Sequence, residues 1–98
     1  MRRAGRVDSN HRLVVAAFRL WGCSVVSLAN MGSGVPDIIV GYRGFNHLVE
    51  IKTRTGRLTA DQVAFHAAWE GNVLVVRGAD EADELVEEWG LSDDEFND

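Results

Sequence analysis

The 98 residues, 46% hydrophobic and 26% charged, suit one globular domain and exclude both a two-domain chain and a largely disordered one. The formal net charge of −5 conceals a division: all ten Lys and Arg lie at or before Arg77 beside five acids, whereas residues 79–98 hold ten acids and no base. The chain is therefore not uniformly acidic, and reads as a mildly basic domain followed by an acidic segment.

Residues 1–8 are basic and lack periodicity, and read as a loose N-terminal arm. From Ser9 to Trp21 the pattern is helical, with Ser9 as N-cap and Gly22 where a C-terminal glycine stands. Between them Leu13 to Phe18, Leu20 and Trp21 leave only Arg12 and Arg19 as a polar edge. A helix apolar on so much of its surface needs cover on two sides, by its own sheet and by a second subunit. Ser24 to Leu28 is a first strand, and Asn30 to Gly34 is a loop of turn-forming residues. Ile38 to Val40 and Leu48 to Ile51 are strand cores on either side of an Arg43-Gly44 turn, giving an antiparallel hairpin.

Thr59 and Gln62 match the S/T-x-x-E/Q capping box, with Leu58 and Val63 placed as a hydrophobic staple, so a second helix runs from Thr59 to about Trp69. Val73 to Val76 is a continuous apolar run and reads as a strand buried on both faces. Ala82, Leu85, Val86 and Trp89 recur at helical spacing in an acidic final helix, and Gly90 closes it. The order predicts an α/β fold: an αβββαβ core with a small mixed sheet flanked by helices, plus the acidic C-terminal helix. The domain spans residues 9–90 and residues 91–98 form an acidic, frayed tail. No apolar stretch approaches the roughly 20 residues of a membrane span, and no signal-type segment follows the basic start. A cytoplasmic protein without membrane partners is expected. Cys23, the lone cysteine, reads as a small buried hydrophobe rather than a zinc ligand. Trp21, Trp69 and Trp89 end helices and read as core or interface anchors.

The hairpin carries the chemistry. Glu50 and Lys52 lie on one face of their strand, while Val49 and Ile51 lie on the other. A turn at Arg43-Gly44 pairs position 37 with one near 50, so Asp37 joins them. Two carboxylates held together repel, and a hard divalent cation removes that conflict; Mg²⁺ commonly takes only one or two protein carboxylates plus phosphate oxygens. An adjacent ammonium lowers the pKa of an attacking water or neutralises charge growing on a phosphoryl group. The implied reaction is metal-assisted hydrolysis of a phosphodiester.

At these residues the sequence resembles the PD-(D/E)XK nuclease superfamily, in particular its small stand-alone VRR-NUC-type and Holliday-junction-resolvase-like members of phages and prokaryotes. Pro36-Asp37 matches the PD, Glu50-Ile51-Lys52 the E-X-K, and "LTADQVAFHAAW" the helix that follows. The resemblance runs from residue 8 to about 78. It implies a restriction-endonuclease-like fold, and Mg²⁺ or Mn²⁺ held by Asp37, Glu50 and the backbone carbonyl of Ile51. It also implies that Lys52 positions the nucleophilic water and that Gln62 borders the site, a role that competes with its place in the capping box. Many relatives carry a further Glu on the first helix. No acid occurs here from Ser9 to Val35, so His11 or Asp8 is the candidate in its stead, the alternative being that His11 is a solvent-facing first-turn histidine.

Arg43, Arg54 and Arg57, with Arg2, Arg3 and Arg6 of the arm, are expected to meet DNA phosphates without reading sequence. The resemblance adds branched DNA such as Holliday junctions as substrate and a homodimer as the working form, in a prokaryotic or phage-infected cell and without an organic cofactor. The rival reading is a catalytically silent nucleic-acid-binding or assembly module that retains the fold, and an RNA substrate also fits.

Overall fold

The computed structural model describes residues 2–97, with side chains within residues 9–91. The elements follow as α1 (Arg2–Leu20), β1 (Ser24–Ser27), β2 (Ile38–Tyr42), β3 (Phe45–Ile51), α2 (Ala60–Ala68), β4 (Val73–Val76) and α3 (Ala79–Asn97). The strands form one mixed sheet in the order β1-β2-β3-β4, with β1–β2 and β2–β3 antiparallel and β3–β4 parallel. This is the expected restriction-endonuclease-like arrangement with a further helix at its end.

The β2–β3 hairpin turns at Arg43 (φ 51°) and Gly44 (φ 88°). Two consecutive left-handed residues make the turn whose twist matches that of the flanking strands. Register follows from it, running from Tyr42 opposite Phe45 to Ile38 opposite Val49. One further step along the ladder sets Asp37 opposite Glu50.

Alternation along the strands then divides the side chains. Ile38, Val40, Val49 and Val76 point to one face and are fully buried with Val14, Ala17 and Phe18 of α1 and Ala82 and Val86 of α3. Cys23 is buried in the same core. Trp89 stacks on His47 at 3.7 Å and on Phe18 at 6.0 Å, and Trp21 donates from Nε1 to Asp83 Oδ1 at 2.9 Å, tying α1 to α3. Trp69 stacks on Phe65. Trp89 packs against the core as expected, whereas Trp21 and Trp69 are exposed and brace helices from the surface. Glu50 points to the other face, toward α2. There Gly34 passes so close that a Cβ would stand 2.3 Å from the Asp61 carbonyl oxygen. Only glycine permits that approach, which seats the first turn of α2 against the loop before β2.

Three element expectations are corrected. Helix α1 begins at Arg2, so Ser9 lies within it instead of capping it; Arg and Ala are strong helix formers, and the single Gly5 does not break the run. Its other end is as read: Gly22 N–H donates to Arg19 and Cys23 N–H to Phe18, the paired bonds of a Schellman motif. Strand β4 is an edge strand in which only Val76 is fully buried, because α2 is short and buries none of its own residues. Helix α3 starts at Ala79 and continues through Gly90 to Asn97, since one glycine costs a helix about 1 kcal/mol and nothing after it competes. The side chains of Arg2, Arg3, Arg6 and Asp8, and those of the acidic residues 92–98, lie outside the described residues. Among the described residues no helix is long and apolar enough to cross a membrane.

Candidate active site

Asp37, Glu50, Ile51, Lys52 and Gln62 line one cleft of about 190 Å³, with Asn10 and His11 of α1 and Thr53 completing its wall. The sequence-derived constellation is therefore gathered in space. Glu50 is only 2% exposed and is the one fully buried charged side chain among the described residues. Its Oε2 accepts from Gln62 Nε2 at 3.0 Å, while its Oε1 is buried with no partner. Burial first, and the adjacent Asp37 carboxyl second, push the Glu50 carboxyl up to about 8; the charge of Lys52 opposes them.

Asp37 is half-buried, and its Oδ2 accepts from Ile51 N–H at 2.8 Å. In a pleated strand a residue's carbonyl leaves on the same edge as its N–H, so the Ile51 carbonyl shares the edge that faces Asp37. The backbone of Lys52 is held on both sides. Its N–H donates to Val76 O at 3.0 Å, and its carbonyl accepts from Asn10 Nδ2 at 3.0 Å. Strand β4 and helix α1 thus fix the base of the lysine whose amine is wanted at the site.

Gln62 performs both roles that the sequence set in competition. Its Oε1 accepts from Thr59 N–H at 2.8 Å and its backbone N–H donates to Thr59 Oγ1 at 3.2 Å, completing the capping box. The amide nitrogen remains, and it is this group that reaches Glu50. One primary amide has an acceptor end and a donor end, and the two are used separately.

A hard cation fits the donor set. Glu50 Oε1 is a buried oxygen with nothing to accept from, Asp37 stands beside it, and all candidate ligands are oxygens. Among the described residues no group of three or more His, Cys, Asp and Glu gathers as a metal site. An ion here would take two carboxylates, a carbonyl and otherwise water or phosphate, the pattern of Mg²⁺ rather than of a dedicated protein cage. His11 is half-buried on the cleft wall, where the missing helix carboxylate was expected. Asp8, the other candidate, lies outside the described side chains.

The arginines are less uniformly placed. Arg43 is at the hairpin tip, six residues from Asp37 and hence about 20 Å away along the strand, with its guanidinium over the Tyr42 ring at 5.3 Å. The structure does not bring it to the cleft. Arg57 is exposed. Arg54 contacts Asp80 and Glu81 of α3.

Sequence reasoning missed Asn10 and Arg77. Arg77 Nη1 donates to Thr53 O at 2.7 Å and Gly56 O at 2.6 Å, and lies 3.5 Å from Arg54 O, so one guanidinium gathers the loop that follows Lys52. Arg77→Met is expected to lower the unfolding free energy by about 2 kcal/mol, the loss of two charge-assisted hydrogen bonds partly open to water. Urea denaturation of the metal-free protein measures it, and an unchanged midpoint would show that the loop needs no such clamp.

A solved structure described as a VRR_NUC domain superimposes on this chain with a TM-score of 0.68 and 30% sequence identity, covering 85% of this chain and 92% of its own. No family model and no curated protein matches the chain.

Proposed function

This chain belongs to the VRR_NUC domain family, and from that premise we propose that it is a nuclease hydrolysing phosphodiester bonds in DNA with Mg²⁺ or Mn²⁺ as cofactor. The observation that carries the reading is the buried Glu50 carboxylate, one oxygen unpartnered, set against Asp37. A silent binding module gains nothing from two acids in contact inside a cleft, and their repulsion costs stability. Asp37, Glu50 and the Ile51 carbonyl are the ligands proposed. When bound, the ion would polarise the scissile phosphate and make a coordinated water acidic.

The chain's own groups do the rest. Gln62 fixes the Glu50 carboxylate so that Oε1 is the free oxygen. Asn10 and Val76 fix the Lys52 backbone, and the Lys52 ammonium holds the attacking water or offsets negative charge as it grows on the phosphate. His11, the α1 side chain on the cleft able to carry a proton, is the residue we assign in lieu of a helix carboxylate. Arg54 and Arg57, on the loop after Lys52, are the residues we assign to hold the strand by its phosphates.

Branched DNA is proposed as the substrate from the resemblance alone. A pair of chains would set two sites against two strands. The exposed apolar residue Leu20, 89% accessible on α1, and the open edge of β1 support pairing there. The test is a cleavage panel of four-way junction, flap, duplex and single-stranded DNA with Mg²⁺, Mn²⁺ or EDTA, with the solution mass measured by light scattering. Metal-dependent nicking, strongest on the junction and by a dimer, is expected. Failure to nick any form would leave the silent binding module as the better reading.

A further inference from the structure

Beside the cleft lies a second, larger groove of about 600 Å³ between α1, the loop after β3 and the start of α3. Asn10 and Thr53 line both, so the two are neighbours. Arg54, two residues beyond Lys52, lies across this groove. Its Nη2 is 2.7 Å from Asp80 Oδ1 and its Nη1 is 3.7 Å from Glu81 Oε2. The guanidinium rests on Gly78, where a Cβ would meet Arg54 Nη2 at 2.8 Å. A side chain at that position would push the arginine off α3.

The Arg54–Asp80 pair is about 60% exposed on both sides. An exposed pair of this kind contributes little to stability and is screened by salt, so exchanging it for another partner is easy. A backbone phosphodiester offers the same guanidinium what a carboxylate does, one negative charge shared over two oxygens, and brings neighbouring phosphates with it. Arg54 follows Lys52 by two residues and is, among the described residues, the basic side chain of that loop held by acids.

We propose that Asp80 and Glu81 stand on Arg54 in place of a DNA backbone phosphate, so that DNA entering the groove must displace them and the acidic helix holds the enzyme's affinity down. This rests on the reading of the domain as DNA-acting. The first turn of the acidic helix then masks one phosphate contact of the substrate's own path.

The test uses the full chain in EDTA, so that no strand is cut, with a fluorescent duplex whose binding is read by anisotropy over a salt series. Asp80→Asn is expected to bind about threefold to tenfold tighter, with the log–log salt slope steeper by about 0.9, one additional phosphate contact. Glu81→Gln, which keeps the oxygen that accepts from Arg77 N–H, should move the same way by less. Glu87→Gln removes an equal charge two turns further along α3 and should do little. In an Arg54→Ala background the gain from Asp80→Asn should vanish. Unchanged binding by Asp80→Asn, or a gain that persists without Arg54, would overturn the mask while leaving the nuclease reading standing. Absence of DNA binding by every variant would overturn both.

Discussion

Glu50→Gln is expected to make the metal-free protein more stable at pH 8 and, in the same stroke, to remove every response to Mg²⁺. The Glu50 carboxyl is buried beside Asp37 and held up to about 8 by that burial first and by Asp37 second. An acid whose folded pKa is raised stabilises the fold fully below its unfolded value near 4.5. That contribution is lost as pH rises from there through about 8, because the unfolded chain has released the proton while the folded chain still keeps it. Gln is neutral throughout and offers Gln62 Nε2 the same kind of acceptor. The variant and the natural chain should therefore be nearly equal at pH 4 and diverge by on the order of a few kcal/mol toward pH 8.

Adding Mg²⁺ should invert the order at pH 8. A ligand at a hundred times its dissociation constant stabilises by about 2.7 kcal/mol, a gain open to the natural chain and lost with the buried Glu50 ligand. Urea denaturation at pH 4 and 8, each with EDTA and with Mg²⁺, gives the comparison. A variant less stable than the natural chain at pH 8 in EDTA would mean that the Glu50 carboxylate is well solvated or well paired, and the metal assignment would lose its physical ground.

What the sequence disclosed was what local rules decide. Thr59 and Gln62 sit three residues apart and cap α2 by themselves, and Arg43-Gly44 sets the hairpin register that brings position 37 opposite 50. The Glu50 and Lys52 alternation then follows from the pleat. What stayed hidden depends on distances between elements. The second role of Gln62 requires that α2 lie low enough over the sheet for its amide to reach Glu50, which Gly34 arranges from a loop nearly thirty residues earlier. Asn10 donates to a carbonyl 42 residues away, and an Asn within a helix announces nothing of the kind. Arg77 looked like the polar end of a strand, yet its partners are carbonyls of a loop more than twenty residues back. The extents of α1 and α3 were misjudged for a related reason: Ser9 and Gly90 are stop signals only where the neighbouring residues prefer not to be helical.

Lys52→Ala is the companion case, because it separates chemistry from metal binding. The lysine backbone is secured by Val76 and Asn10 regardless of the side chain, so truncation should leave β3, its register and the thermal midpoint almost unchanged. The two carboxylates and the Ile51 carbonyl remain, and the Mg²⁺-induced rise in stability should persist. Cleavage should nevertheless fall by on the order of 10²–10³-fold, the usual effect of removing one preorganised group that meets developing charge. Raising the Mg²⁺ concentration should not restore it. Asp37→Asn gives the opposite profile: Asn still accepts from Ile51 N–H, but a ligand charge is gone, so its loss should shrink as Mg²⁺ is raised. Single-turnover cleavage of one duplex across a Mg²⁺ series distinguishes the two. Recovery of Lys52→Ala at high Mg²⁺ would move the lysine from the reacting phosphate to the metal site, where its charge would merely tune the carboxylates.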